Sequence, residues 1–207
     1  MTPVYGACFW GYNSPGCFLW ARVLDSGRAR GRVYIQADYK FTRKPVEDVA
    51  KAIKAKSYDL GVPRLTAIYA HPKMFPKANP SKVIIEAETP SESFARHGLP
   101  MIPAGSNDAH GWQRVHDYLR DAPDGLPWLI ISPDCRTLAR TLPSLVQSNT
   151  DPDDCDGDTY AAHALRCLLS ARPSPHTLAK TKAPYAWGTV GWLRKLDERK
   201  EIGVLSR

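Results

Sequence analysis

The sequence predicts an α/β domain in which helices are layered on a central sheet, and three observations carry that prediction. Two apolar, aromatic-rich runs, residues 4–10 and 17–23, flank a segment whose Asn13-Ser14-Pro15-Gly16 is turn chemistry, so the chain opens with a β-hairpin. Residues 32–41 place Val33, Ile35 and Ala37 in alternation with polar residues, which predicts a third antiparallel strand. Val46, Val49, Ala50 and Ile53 then follow Pro45 at helical spacing, the stripe of an amphipathic helix laid on a sheet. Three strands and a covering helix are the beginning of a layered α/β architecture.

The remaining elements follow in order. Residues 65–70 are a short apolar run ending at His71-Pro72, the pattern of a buried fourth strand. Residues 79–90, bracketed by prolines, are read as a loop or insertion. Residues 91–97 form a short helix stopped by Gly98, and 99–103 a short fifth strand. Asp108 is placed to cap a helix carrying Trp112, Val115, Tyr118 and Leu119. Residues 128–131 read as a buried edge or packing segment, 135–146 as a helix, 151–158 as an acidic run and 159–171 as the last core helix. Beyond Arg172 the composition changes to prolines with basic and aromatic residues, so the domain is expected to span 1–172 and a basic C-terminal tail 173–207.

Composition narrows the class. A chain of 207 residues, 43% hydrophobic and 24% charged, can bury a full core. No apolar run reaches membrane-spanning length and the N-terminus lacks a secretory layout, so a soluble intracellular protein with no membrane partner is expected. The five cysteines are scattered and form no Cys-x-x-Cys pair, which argues against a disulfide framework or zinc ribbon. The net charge of +7 is concentrated at one end, since residues 172–207 hold eight basic and three acidic residues. Such a tail suits a polyanionic or acidic partner, although solvated charge is the commoner meaning.

Local words add a family resemblance. Tyr5-Gly6-Ala7, the run Trp10-Gly11-Tyr12-Asn13-Ser14-Pro15-Gly16, Ala70-His71-Pro72-Lys73-Met74-Phe75, Asn107-Asp108 with Gly111-Trp112, Gly125-Leu126-Pro127-Trp128-Leu129, Cys135 and Ala161-Ala162-His163-Ala164-Leu165-Arg166 occur in this order across residues 4–171. Together they resemble the nuclease half of the phage large terminase subunit, which packages and cuts viral DNA. The resemblance implies a ribonuclease-H-like fold, a mixed central sheet flanked by helices, and endonuclease chemistry with two Mg²⁺ or Mn²⁺ ions. It also implies double-stranded DNA as partner, portal or other packaging proteins reached through the tail, and a location in the cytoplasm of a phage-infected or lysogenic bacterium. No Gly-x-x-x-x-Gly-Lys-Ser/Thr phosphate loop occurs, so the chain is not the packaging motor by itself.

The departures from the family pattern define the candidate site. The family's three metal-binding aspartates, its catalytic positions, fall on Phe9, His71 and His163. Two-metal hydrolysis uses clustered carboxylates because hard divalent cations need oxygen ligands and neutralisation; a phenyl ring offers neither and imidazole suits softer metals. Cutting is therefore expected to be impaired, with no metal bound as one alternative. A rebuilt transition-metal site at His71 and His163, completed by Asp158, Asp156 or Asp38, is weighed against two hydrogen-bonded histidines in a vestigial cleft. Lys73, Lys77, Lys82, Arg166 and the tail residues Lys180, Lys182, Arg194 and Lys195 are the candidate DNA contacts. Three readings stand at this point: a terminase nuclease domain with a disabled centre, a non-catalytic DNA-binding or packaging-assembly module, and an enzyme with a rebuilt histidine-containing centre.

Overall fold

Among the described residues six strands form the central sheet, and the N-terminal hairpin is its middle. The computed structural model describes residues 2–24, 30–76, 88–105, 108–148 and 155–175. Strands β1 (Val4–Phe9), β2 (Gly16–Val23) and β3 (Val33–Phe41) pair antiparallel in sequence order. Strand β4 (Ile68–Ala70) lies parallel to β1, β5 (Ile102–Pro103) parallel to β4, and β6 (Leu129–Ile131) parallel to β3. The order is β5-β4-β1-β2-β3-β6. β2 is apolar on both faces because both are covered, and its sequence Gly-Cys-Phe-Leu-Trp-Ala-Arg-Val accordingly shows no polar alternation. At the turn a side chain on Gly16 would lie 2.2 Å from the Phe41 ring and 2.8 Å from the Phe9 carbonyl, so this position admits no side chain without a shift of the strands.

Helices cover the two faces separately. On one face Ala7, Cys17, Leu19 and Ile35 pack with helices α3 (Asp108–Leu119), α4 (Arg136–Thr141) and α5 (Tyr160–Ser170) through Val115, Tyr118, Leu138 and Leu165. On the other, Phe18, Trp20 and Phe41 pack with α1 (Val46–Asp59) and α2 (Pro90–Arg96) through Val49, Ile53 and Phe94. The Trp20 indole N–H is satisfied inside that layer, donating to Ser57 Oγ at 2.8 Å. Helix α5 is buried from Tyr160 to Leu169, with α3 packed against it.

A bulge in β3 redistributes its side chains. Trp20 pairs with Ala37 and Ala21 with Ile35, leaving Gln36 as an extra residue. Val33 and Ile35 therefore face α3–α5, whereas Ala37 and Phe41 face α1 and α2. Simple alternation would put all of them on one face. The slip turns Asp38 and Lys40 toward α4 and α5, where Asp38 Oδ2 accepts the Leu138 N–H at 2.8 Å and the Lys40 ammonium lies 4.9 Å from the Tyr160 ring centroid.

Several expected boundaries move for identifiable reasons. The helix expected over 135–146 ends at Thr141, continues as a single 3₁₀ turn (Leu142–Ser144) and gives way to strand β7 (Val146–Gln147), since Pro143 has no N–H to continue the α-helical ladder. β7 pairs with β8 (Cys155–Asp156), so a strand lies within the acidic run. Residues 128–131 supply β6, a paired strand of the main sheet. Of the segment 79–90, Thr89 and Glu92 form a reciprocal capping box at the start of α2, while residues 79–87 lie outside the described residues. The first structural unit runs Met1–Pro175, and its end is tied to α3: the Tyr118 hydroxyl donates to the Pro173 carbonyl at 3.2 Å and the Ser174 hydroxyl to Asp117 at 3.1 Å. Among the described residues no helix is long and apolar enough to cross a membrane.

Candidate functional site

Three elements end or cross at one point. Phe9 is the last residue of β1, and His71 directly follows β4. Because β1 and β4 run parallel with Cys8 beside Ala70, the two residues leave the sheet side by side. The His71 N–H also donates to the Cys8 carbonyl at 3.2 Å. His163 comes from the middle of α5, which crosses this face of β1 and β4.

The rings of these residues touch. Phe9 stacks on His163 with centroids 4.9 Å apart and planes 20° apart, and meets His71 edge-on at 5.3 Å. His71 and His163 lie 5.8 Å apart, nearly perpendicular. Trp112 of α3 closes the cluster at 5.7 Å from His163. Offset stacks and edge contacts at these separations are the favoured geometries of aromatic pairs.

Both nitrogens of His71 are engaged. Nδ1 accepts the Lys73 N–H at 3.2 Å, capping the 3₁₀ turn Pro72–Met74. Nε2 faces Arg166 Nη2 at 3.1 Å. A neutral imidazole has one acceptor nitrogen, so these two donors compete for it and the tautomer decides which is served. Arg166 is itself 4% exposed, and its guanidinium lies 5.2 Å from the centroid of the Trp112 ring. The space for it depends on Gly111, where a side-chain carbon would stand 2.7 Å from Arg166 Cγ.

The other candidate residues are distributed as follows. Asp38 is buried but committed to the Leu138 N–H in the first turn of α4, an interaction that suits a carboxylate at a helix N-terminus. Asp158 is exposed and pairs with Arg140 at 3.3 Å. The structure therefore gathers Phe9, His71 and His163 but engages Asp38 and Asp158 elsewhere. Lys73 is exposed one residue into the turn that His71 caps. Lys77, Lys82, Lys180, Lys182, Arg194 and Lys195 lie outside the described residues. Arg166, expected as a DNA contact, is a buried brace between His71 and Trp112. Sequence reasoning missed Lys40, which the Gln36 bulge turns onto this side; an exposed cation beside Cys17, the register partner of Phe9, has no local sequence signal.

The donor set does not fit the divalent metal pair that the terminase resemblance leads one to expect. Phe9 offers no donor atom, each His71 nitrogen already faces an N–H donor, and Asp38 and Asp158 are bonded elsewhere. Among the described residues no three His, Cys, Asp or Glu side chains gather as a metal-binding group.

Neither family models nor curated protein sequences match this chain. Solved structures do. The nuclease domain of the bacteriophage P22 large terminase superposes with a TM-score of 0.59 at 12% identity, covering 85% of this chain and 86% of that one. The nuclease domain of the bacteriophage SPP1 large terminase, solved with bound Mn, gives 0.51 at 15% identity, covering 79% and 83%. The large terminase of a thermophilic bacteriophage gives 0.60 at 14% identity, covering 82% of this chain and 40% of that one. The chain thus spans about two fifths of the length of that thermophilic phage protein and most of the isolated nuclease domains. Their shared architecture is the six-stranded mixed sheet with helices on both faces, and the chain has the ribonuclease-H-like fold of phage large terminase nuclease domains.

Proposed function

We propose that this domain serves viral DNA packaging as the nuclease-fold unit of a large terminase and that it engages double-stranded DNA across the sheet end where Phe9, His71 and His163 meet. The observation that carries the reading is the convergence of the end of β1, the end of β4 and the middle of α5. These are the positions at which the terminase resemblance puts its catalytic carboxylates. Lys73, presented by the His71-capped turn, and Lys40, near the end of β3 and one strand removed from β1, supply exposed positive charge. Residues 176–207 carry seven basic and three acidic residues and add to the attraction for a polyanion, or dock a portal or another packaging protein.

Fluorescence anisotropy with a labelled duplex tests this. Binding is expected to be independent of sequence and to weaken as salt rises, because neutralised phosphates release counterions. Replacing Lys40 and Lys73 by Ala should flatten the log–log salt slope by about 0.9 for each phosphate contact removed. Absence of duplex binding at low salt would refute the proposal. A chain lacking residues 176–207 that keeps both affinity and slope would move the tail from DNA to a protein partner.

A further inference from the structure

We infer that the centre of this domain is rebuilt as a metal-free cluster, in which aromatic rings and the buried Arg166 guanidinium hold together the elements that a divalent metal pair would otherwise bridge, so that the domain holds DNA without hydrolysing it. This rests on the terminase reading and specifies what its site does. The space between β1 and α5 is filled by carbon, since Phe9 lies flat on His163 at 4.9 Å and edge-on to His71 at 5.3 Å. Hydrated Mg²⁺ or Mn²⁺ needs oxygen ligands and room for water, and where the family pattern puts the first of those oxygens the Phe9 ring presents carbon.

Charge points the same way. A cation, Arg166, is built into the cluster, 4% exposed and 3.1 Å from His71 Nε2. A divalent ion ligated by that nitrogen would have to displace the guanidinium contact and then face it across a site of low dielectric, with like charges repelling. The other nitrogen of His71 holds the Lys73 amide, so ligation there would release the cap of the turn that presents Lys73. Arg166 is not a chance occupant: it lies over Trp112, and Gly111 leaves room for its Cγ. Asp38 and Asp158, two of the carboxylates weighed for such a site, serve the α4 N-terminus and Arg140.

Three assays on the full wild-type chain test the inference: duplex binding in EDTA, nicking of supercoiled plasmid with Mg²⁺, Mn²⁺ or Zn²⁺, and thermal unfolding with and without each ion. The expected results are duplex binding in EDTA, no nicking and no metal-dependent rise in Tm. Phe9→Ala, which removes the ring but leaves the Lys73 and Arg166 contacts of the His71 nitrogens, should likewise show no metal response. Metal-dependent nicking, or a Tm rise with any of the ions that His71→Ala or His163→Ala abolishes, would overturn the inference. So would duplex binding that requires a divalent ion. Loss of binding under every condition would instead overturn the terminase reading, so the two failures are distinguishable.

Discussion

The Phe9 ring lies flat against the imidazole of His163, planes 20° apart and centroids separated by 4.9 Å, at the point where β1 leaves the sheet and α5 crosses it. This contact, with the edge of His71 against Phe9, fastens β1 to α5. Phe9→Ala is expected to destabilise the domain by about 2–3 kcal/mol, at or below the low end of the range for a core phenylalanine because the ring is half-buried. Phe9→Leu, which keeps apolar volume but loses the stack, should cost less. Chemical denaturation of both variants measures the difference, and equal losses would show that the stack itself contributes nothing.

Restoring carboxylates should restore metal binding only when they are restored together. The triple change Phe9→Asp, His71→Asp, His163→Asp is expected to create Mn²⁺ binding detectable by calorimetry, whereas Phe9→Asp alone should not. Two cations need several neighbouring negative oxygens, and groups that act as one unit are non-additive. Tight Mn²⁺ binding by the single variant would contradict this, and a folded triple variant that binds no Mn²⁺ would show that the surrounding residues have diverged from a metal-supporting shell.

Gly111 offers a test in which intrinsic propensity and packing predict opposite signs. Ala is favoured over Gly inside a helix by about 1 kcal/mol. Here a Cβ would stand 2.7 Å from Arg166 Cγ and 2.8 Å from its Cδ, so α3 or the arginine must shift. Gly111→Ala is therefore expected to destabilise by about 1 kcal/mol despite its better propensity. A rise in Tm would show that Arg166 has room to move.

Acid should weaken the anchor of the turn before β6. Arg32 donates from Nη1 to Asp124 Oδ2 at 2.8 Å, from Nη2 to the other carboxylate oxygen and from Nε to the Pro127 carbonyl at 2.9 Å. The hydrogen bond from Arg32 holds the Asp124 carboxyl below the usual carboxylate range. A depressed folded-state pKa means that the stabilisation is complete above the unfolded-state value, about 3.9, and fades as pH falls through the folded-state value. Asp124→Asn should lower stability at neutral pH and flatten its dependence on pH in the acid range. An unchanged acid limb would show that the pair does not couple to folding.

The thiols should divide by burial. Cys8, Cys17, Cys135 and Cys167 are buried and Cys155 is half-exposed. Burial pushes the Cys8 and Cys17 thiols well up and the Cys135 thiol up to about 12, which suppresses the reactive thiolate. Titration with an aromatic disulfide reagent should label Cys155 in the native protein and the four others after unfolding. Rapid native labelling of more than one thiol would show that the core opens.

Local pattern made the hairpin, the helical stripe from Val46 to Ile53 and the core helix around His163 legible, because the periodicity of apolar residues reports which way each element faces. The order of the words around Phe9, His71 and His163, read through a family resemblance, brought three distant residues to one place. Local pattern cannot show which lone pair is occupied. The engagement of both His71 nitrogens depends on Arg166, 95 residues away in sequence, and on the turn formed by Pro72–Met74.

By itself, then, the sequence determined the layered α/β class, the strands and helices that carry the site, and the absence of carboxylates at Phe9, His71 and His163. Tertiary structure decided where the remaining charges went. The extra residue at Gln36 reversed the facing of β3, sending Asp38 to the amide of Leu138 and Lys40 to the ring of Tyr160. A bulge is a property of two paired strands, and neither strand carries its register alone. In the same way Arg166, polar in sequence and apt for phosphate, became a buried brace because α3 approaches α5 closely at Gly111. Side-chain chemistry set what these groups can do, and packing between distant elements selected which partner each one met.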